Sequence, residues 1–146
     1  MDRVAPDVSY EELIAQCPPE IRQALPMDRW QIDKLFALDL LVERIPIAEL
    51  EWQLDLPMWQ RDGVRFRVRP VDVLADPDGH PHHVARVTTA DPSYPIHVIE
   101  HHGRLAVLDG FHRLVKAVMA QAATISAMRL SRTDLAAISR TESGAA

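Results

Sequence analysis

The stretch that most constrains the fold runs from Tyr94 to Ala117, YPIHVIEHHGRLAVLDGFHRLVKA. Pro95 opens Ile96-His97-Val98-Ile99, a β-branched run that reads as a strand. His102-Gly103 makes a tight turn, and Leu105-Ala106-Val107-Leu108 reads as a second, more buried strand. Asp109-Gly110 ends it, and a helix follows at once. Its apolar residues Phe111, Leu114, Val115, Val118 and Ala122 recur at three- and four-residue intervals, the stripe of a helix laid on a sheet. The expected fold class is therefore mixed α+β, a small sheet with packed helices.

The junction between that strand and that helix also carries chemistry. The first turn of a helix has backbone N–H groups without intrahelical partners and a partial positive charge. Gly110 lets the backbone come close to a ligand, and His112 and Arg113 add donors there, with Lys116 one turn on. Such a junction suits a phosphate or another anion. The plainer alternative is that Asp109 caps the helix while His112 and Arg113 are merely solvated.

The hairpin, the run Asp109-Gly110-Phe111-His112-Arg113, then Leu114 and Ala117 resemble the ParB/sulfiredoxin-like superfamily. Its signature is a strand ending in D-G-x-H-R, an apolar helix and a short final strand, here Ala123 to Leu130; the likeness spans residues 94–130 and is diffuse before them. The resemblance implies that Gly110, Phe111, His112, Arg113 and Lys116 hold the phosphates of a nucleoside triphosphate or diphosphate (ATP/ADP or CTP). It implies Mg²⁺ with them, and Asp109 as the contact to that ion or to a substrate hydroxyl. Small-molecule kinases of the superfamily place an acidic general base soon after the first strand. Asp55 falls closest to that pattern and Glu51 next, by spacing alone, and a solvated surface carboxylate is the competing reading of each.

Departures from the family pattern narrow the activity. Sulfiredoxins carry their working cysteine directly before the histidine; this chain has Phe111 there, which excludes sulfinic-acid repair by that thiol. Partition ParB proteins use a G-E-R-R type sequence to bind CTP and continue into a DNA-reading domain. Here the segment is G-F-H-R, and the chain ends soon after the last strand. The free-serine kinases carry D-G-x-H-R, the nearest match. The expected function is phosphoryl transfer to a small-molecule hydroxyl, or nucleotide hydrolysis. Its alternatives are a non-catalytic nucleotide-sensing or regulatory module and a ParB-like nuclease.

The remaining chain sets the context. Its 146 residues form one domain, and a net charge of −5 argues against broad nucleic-acid binding, so DNA is not the expected partner. No apolar run reaches membrane-spanning length, the N-terminus has no signal-peptide core, and Cys17 is the single cysteine. These features fit a reducing cytoplasm. Residues 1–41 read as a helical extension. Ser9 to Glu12 forms a capping box for a helix that Pro18 stops, a short helix starts at Pro19, and a third is expected from Asp28 to Leu41. This extension is expected to pack on the α/β part or against a partner protein, and a homodimer is a further option. Residues 42–131 form the α/β domain, opening with the strand Val42 to Ile47.

Trp52 and Trp59 are core or edge cover on one reading and a wall of a base pocket on the other. Val64 to Arg69 alternates strictly, with Arg65, Arg67 and Arg69 on a face that either binds polyphosphate or guards an edge. Pro70 starts a short helix, residues 76–79 make a turn, and a helix follows His80 to about Thr89. His80, His82 and His83 lack the spacing of a structural zinc site. Residues 132–146 read as a flexible polar tail.

Overall fold

The computed structural model describes residues 10–140. Three short helices come first: α1 (Tyr10–Gln16), α2 (Pro19–Ala24) and α3 (Ile32–Phe36). Strand β1 (Val42–Pro46) leads through 3-10 turns at Ile47–Glu49 and Glu51–Asp55 to the small hairpin β2 (Trp59–Arg61) and β3 (Val64–Val68). Helices α4 (Pro70–Ala75) and α5 (Pro81–Thr89) precede the hairpin β4 (Ile96–His101) and β5 (Arg104–Asp109). Helix α6 (Phe111–Met119), β6 (Thr124–Leu130) and α7 (Arg132–Ile138) complete the fold.

The main sheet has the order β1-β6-β4-β5, with β6 parallel to β4 and the other two pairings antiparallel. The β4–β5 turn places both His102 (φ 52°) and Gly103 (φ 79°) in the left-handed region, the geometry that matches strand twist in a two-residue hairpin. Side chains then alternate between two cores. Ile96, Val98, Leu105, Val107, Ile125 and Ala127 face α6, where they meet Leu114 and Val115. Ile99, Ala106, Leu108 and Leu130 face the opposite way and meet Cys17, Ile21, Leu25 and Leu35 of the N-terminal segment. The extension is thus the second cover of the sheet. Burial on both faces is why the two hairpin strands read as continuous apolar runs.

Four local expectations are corrected. The helix expected from Asp28 to Leu41 is only α3. Residues 29–31 run extended beside the end of α7, through Gln31 N–H to Ile138 C=O and Arg140 N–H to Arg29 C=O (2.9 and 3.0 Å), and Leu41 is 90% exposed. The tail expected from residue 132 begins with α7, which buries Leu135 and Ile138. Its start is a capping box: Asp134 N–H donates to Ser131 Oγ, and Ser131 N–H donates to the Asp134 carboxylate. Helix α6 stops at Met119, and Gln121 turns the chain out at φ 57°, so Ala122 is not on its stripe. In β3 the alternation breaks at Phe66 (φ 59°), where the register with β2 shifts, leaving Val64 exposed and only Val68 buried. The Ser9 cap and residues 141–146 lie outside the described residues.

Strand β5 is a sheet edge, yet its backbone is not left open. Gln53, fully buried, donates from Nε2 to Leu105 C=O (3.1 Å) and accepts at Oε1 from Val107 N–H (2.9 Å). Trp52 Nε1 donates to the same carbonyl at 3.2 Å. Gln53→Leu keeps the volume and orphans Val107 N–H, so it is expected to cost about 1–3 kcal/mol in urea unfolding at constant m. An unchanged midpoint would show that the edge is satisfied some other way.

Candidate functional site

Gly110 is required where it stands. Its φ of 116° is left-handed, and a Cβ placed there would lie 2.5 Å from Ile96 Cγ2 and 2.8 Å from Ile96 Cβ. Close packing against β4 therefore demands glycine before any ligand is considered. Gly110 is also the N-cap of α6 and has no side chain to cap it; the first intrahelical bond is Leu114 N–H to Gly110 C=O at 2.9 Å. The N–H groups of Phe111, His112 and Arg113 precede that bond.

Asp109 does not cap the helix. Its Oδ2 accepts from Arg113 Nη2 at 2.6 Å, and His97 Nδ1 lies 3.6 Å from the same oxygen. Burial pushes the Asp109 carboxyl up; the donors facing it outweigh burial and hold it below the usual carboxylate range. At 3.6 Å His97 is beyond hydrogen-bond length, so the Arg113 contact carries most of that effect. His97 itself is buried, with neither ring nitrogen in a hydrogen bond, and its ring lies 5.8 Å from that of Phe36.

The cations have internal work. Arg113 Nη1 donates to Tyr94 C=O and Pro95 C=O, each at 3.1 Å. Lys116 Nζ donates to Thr88 C=O and Ala90 C=O at 2.8 Å, closing the C-terminal end of α5. His112 stacks on Trp59 with ring centroids 4.7 Å apart and planes 6° apart. His83 covers the other face of Trp59 at 4.7 Å and 13°, with its Nε2 at 2.7 Å from Gln60 C=O. Trp59 is therefore core and not the wall of a base pocket. Trp52 is edge cover, with the Arg104 guanidinium 4.7 Å over its ring.

A cavity of about 360 Å³ opens at this junction. Asp109, Gly110, Phe111, His112 and Arg113 line one side, and Arg86, Thr89, Ala90, Asp91 and Tyr94 line the other. Five of the residues singled out in the sequence thus share one cavity. Lys116 stands behind its wall, at the carbonyls of α5. The structure does not bring Asp55 or Glu51 to it: both are exposed on the 3-10 turn, neither lines the cavity, and the Asp55 charge acts on Arg69. The arginine row of β3 is dispersed, Arg65 donating to Gln16 Oε1 and Arg69 pairing with Asp72 at 2.8 Å. Arg86, Asp91 and Tyr94 were not indicated by the sequence, because only the tertiary approach of α5 and its following loop to α6 places them here.

Comparison with protein-family models, with curated proteins and with solved structures found no match to this chain. The site is thus read from its own geometry. A divalent ion fits it in one way only. Among the described residues no group of three or more His, Cys, Asp or Glu is arranged for a metal, whereas a phosphate-bound Mg²⁺ needs only one or two carboxylates. Asp109 supplies one, ionised at neutral pH.

The depressed Asp109 carboxyl fixes the sign of a pH effect. Its stabilisation is present above the unfolded-state value and is lost as pH falls through the lower folded-state value. Asp109→Asn is therefore expected to cost about 1.5–3 kcal/mol at pH 7. The difference from wild type should shrink as pH falls below about 4. Urea titrations of both proteins from pH 7 to pH 3 check this. Gly110→Ala should cost more than the roughly 1–3 kcal/mol of left-handed strain, because Ile96 must also move; thermal unfolding measures it.

Proposed function

We propose that this protein binds a nucleoside triphosphate or diphosphate with its phosphates at the start of α6, and transfers or hydrolyses the terminal phosphoryl group. The observation that carries the reading is the cavity into which the uncapped N-terminus of a nine-residue helix opens beside His112, Arg113, Arg86 and the ionised Asp109. The ParB/sulfiredoxin-like resemblance of the D-G-F-H-R run, which implies phosphates at this junction, leads to the same reading. The start of α6 carries the partial positive charge of a helix N-terminus, which favours an anion, and Arg113, already bonded to Asp109 and to the Tyr94 and Pro95 carbonyls, adds a positive charge beside it. His112, stacked on Trp59 and in the cavity lining, would donate a proton to a leaving phosphate oxygen. Asp109 would hold Mg²⁺ on the phosphates, which supplies neutralisation of the charge that gathers on them. A carboxylate with a lowered pKa is a better ion ligand than a base.

A second reading, a nucleotide-sensing module without turnover, is favoured by one specific feature. The carboxylates that line the cavity are Asp91 and Asp109. Asp109 is committed to Arg113, and Asp91 accepts from Ser93 N–H and Oγ (2.9 and 2.7 Å). Asp55 and Glu51, the proposed bases, lie elsewhere.

Calorimetry with ATP, ADP and CTP, with and without Mg²⁺, tests binding, and phosphate release or phosphoserine formation tests turnover. His112→Ala is expected to lower turnover about 100-fold with nucleotide still bound. Binding by wild type without turnover selects the sensing module. Turnover unchanged in His112→Ala overturns the assignment of the proton donor.

A further inference from the structure

We infer that Tyr94 is the platform on which the base of the bound nucleotide stacks. This deepens the reading of the junction as a phosphate site and rests on it. Three aromatic rings stand on the cavity wall, and two are already used. Phe111 packs against both cores, and His112 lies on Trp59. Tyr94 is the third, and its residue is 64% exposed.

Its backbone is nonetheless fixed from both sides. Arg113 grips the carbonyls of Tyr94 and Pro95, and Pro95 limits the chain that enters β4. On the other side Asp91 accepts from Ser93 N–H and Oγ, an Asx turn that ends one residue before Tyr94. Lys116 pins the preceding Thr88 and Ala90 carbonyls to α6. With the backbone held this firmly, only the two side-chain torsions of the exposed ring remain to be ordered by a flat partner.

Charge points the same way. Arg86 and Arg113 balance Asp91 and Asp109, so apart from the His112 imidazole, which adds one positive charge when it carries the proton it donates, the side-chain charges of the wall sum to zero. Attraction to phosphate then comes from the helix start, that imidazolium and any accompanying ion, and stacking of the base adds a second source of affinity that needs no charge. Such stacking tolerates any base, because each has a π-face. The same Arg113 that lines the phosphate end of the cavity holds the backbone carbonyl of Tyr94 at the other, so the two subsites share one support.

The test is calorimetry with Mg·ATP and with Mg·tripolyphosphate, which keeps the phosphates and lacks the base. Wild type should bind ATP the more tightly. Tyr94→Ala should weaken ATP about 5- to 100-fold and leave tripolyphosphate unchanged, while Tyr94→Phe should stay within about twofold for both. Thermal unfolding of each variant confirms that the fold is retained. Wild type binding both ligands equally, or Tyr94→Ala weakening neither or both alike, overturns the platform and leaves the phosphate site standing. Wild type binding neither ligand overturns the platform together with the phosphate site.

Discussion

The contact between Arg113 and Asp109 is the constraint on which the junction depends. One guanidinium ties the end of β5 to the first turn of α6, and its second nitrogen reaches the two carbonyls that lead into β4. Three chain segments converge on one planar group whose fixed donor geometry suits several acceptors at once. With both partners largely shielded, the pair is not a surface ion pair of little consequence. Losing either partner leaves a partly buried charge without its counterpart. Gly110 completes the arrangement by letting β4 and the helix start approach more closely than any other residue permits.

This commitment alters how the site is understood. The cations that the sequence nominates for an anion, Arg113 and Lys116, also hold the loop between α5 and β4 in place. Backbone N–H groups of the first turn, which lie outside the helix's own hydrogen-bond ladder, are the donors that a helix start offers a ligand. The imidazole of His112 is held by stacking, so its position depends on Trp59 and, through Trp59, on His83. Residues from β2, α5 and α6 therefore support one edge of the cavity.

Much of the architecture was legible because it rests on local rules. The hairpin, the glycine junction, the proline-started helices and the closing strand follow from periodicity and turn chemistry, and each lies within a residue or two of its expected place. What the sequence misjudged was decided by distant contacts. Trp30, Leu35, Leu38 and Leu41 are spaced for a helix, yet residues 29–31 gain more by pairing with the chain after α7. Leu135 and Ile138 sit in a stretch polar enough to pass for a tail, and only the core on the second face of the sheet gives them something to pack against. The site was half visible. The D-G-F-H-R run announced itself, whereas the opposite wall comes from α5 and its loop, whose proximity no spacing along the chain encodes. Asp55 and Glu51 show the converse error, a match in spacing that the fold does not turn into proximity.

The side-chain amide that fills the outer rim of β5 has a consequence for assembly. By imitating a neighbouring strand, Gln53 stops the sheet from growing in that direction, so any strand added by another molecule must come at β1. That rim is poorly suited to a twin. Antiparallel self-pairing about Glu43 or Arg44 sets like charges face to face, and pairing about Ile45 brings in Pro46, which has no N–H to give. Arg44 and Glu43, both exposed, reach across to β6, onto Thr124 and Ser126 and onto Arg129. The ribbon is thereby finished at both margins, and fibre-like stacking of copies is discouraged by the same few polar groups that hold each copy together.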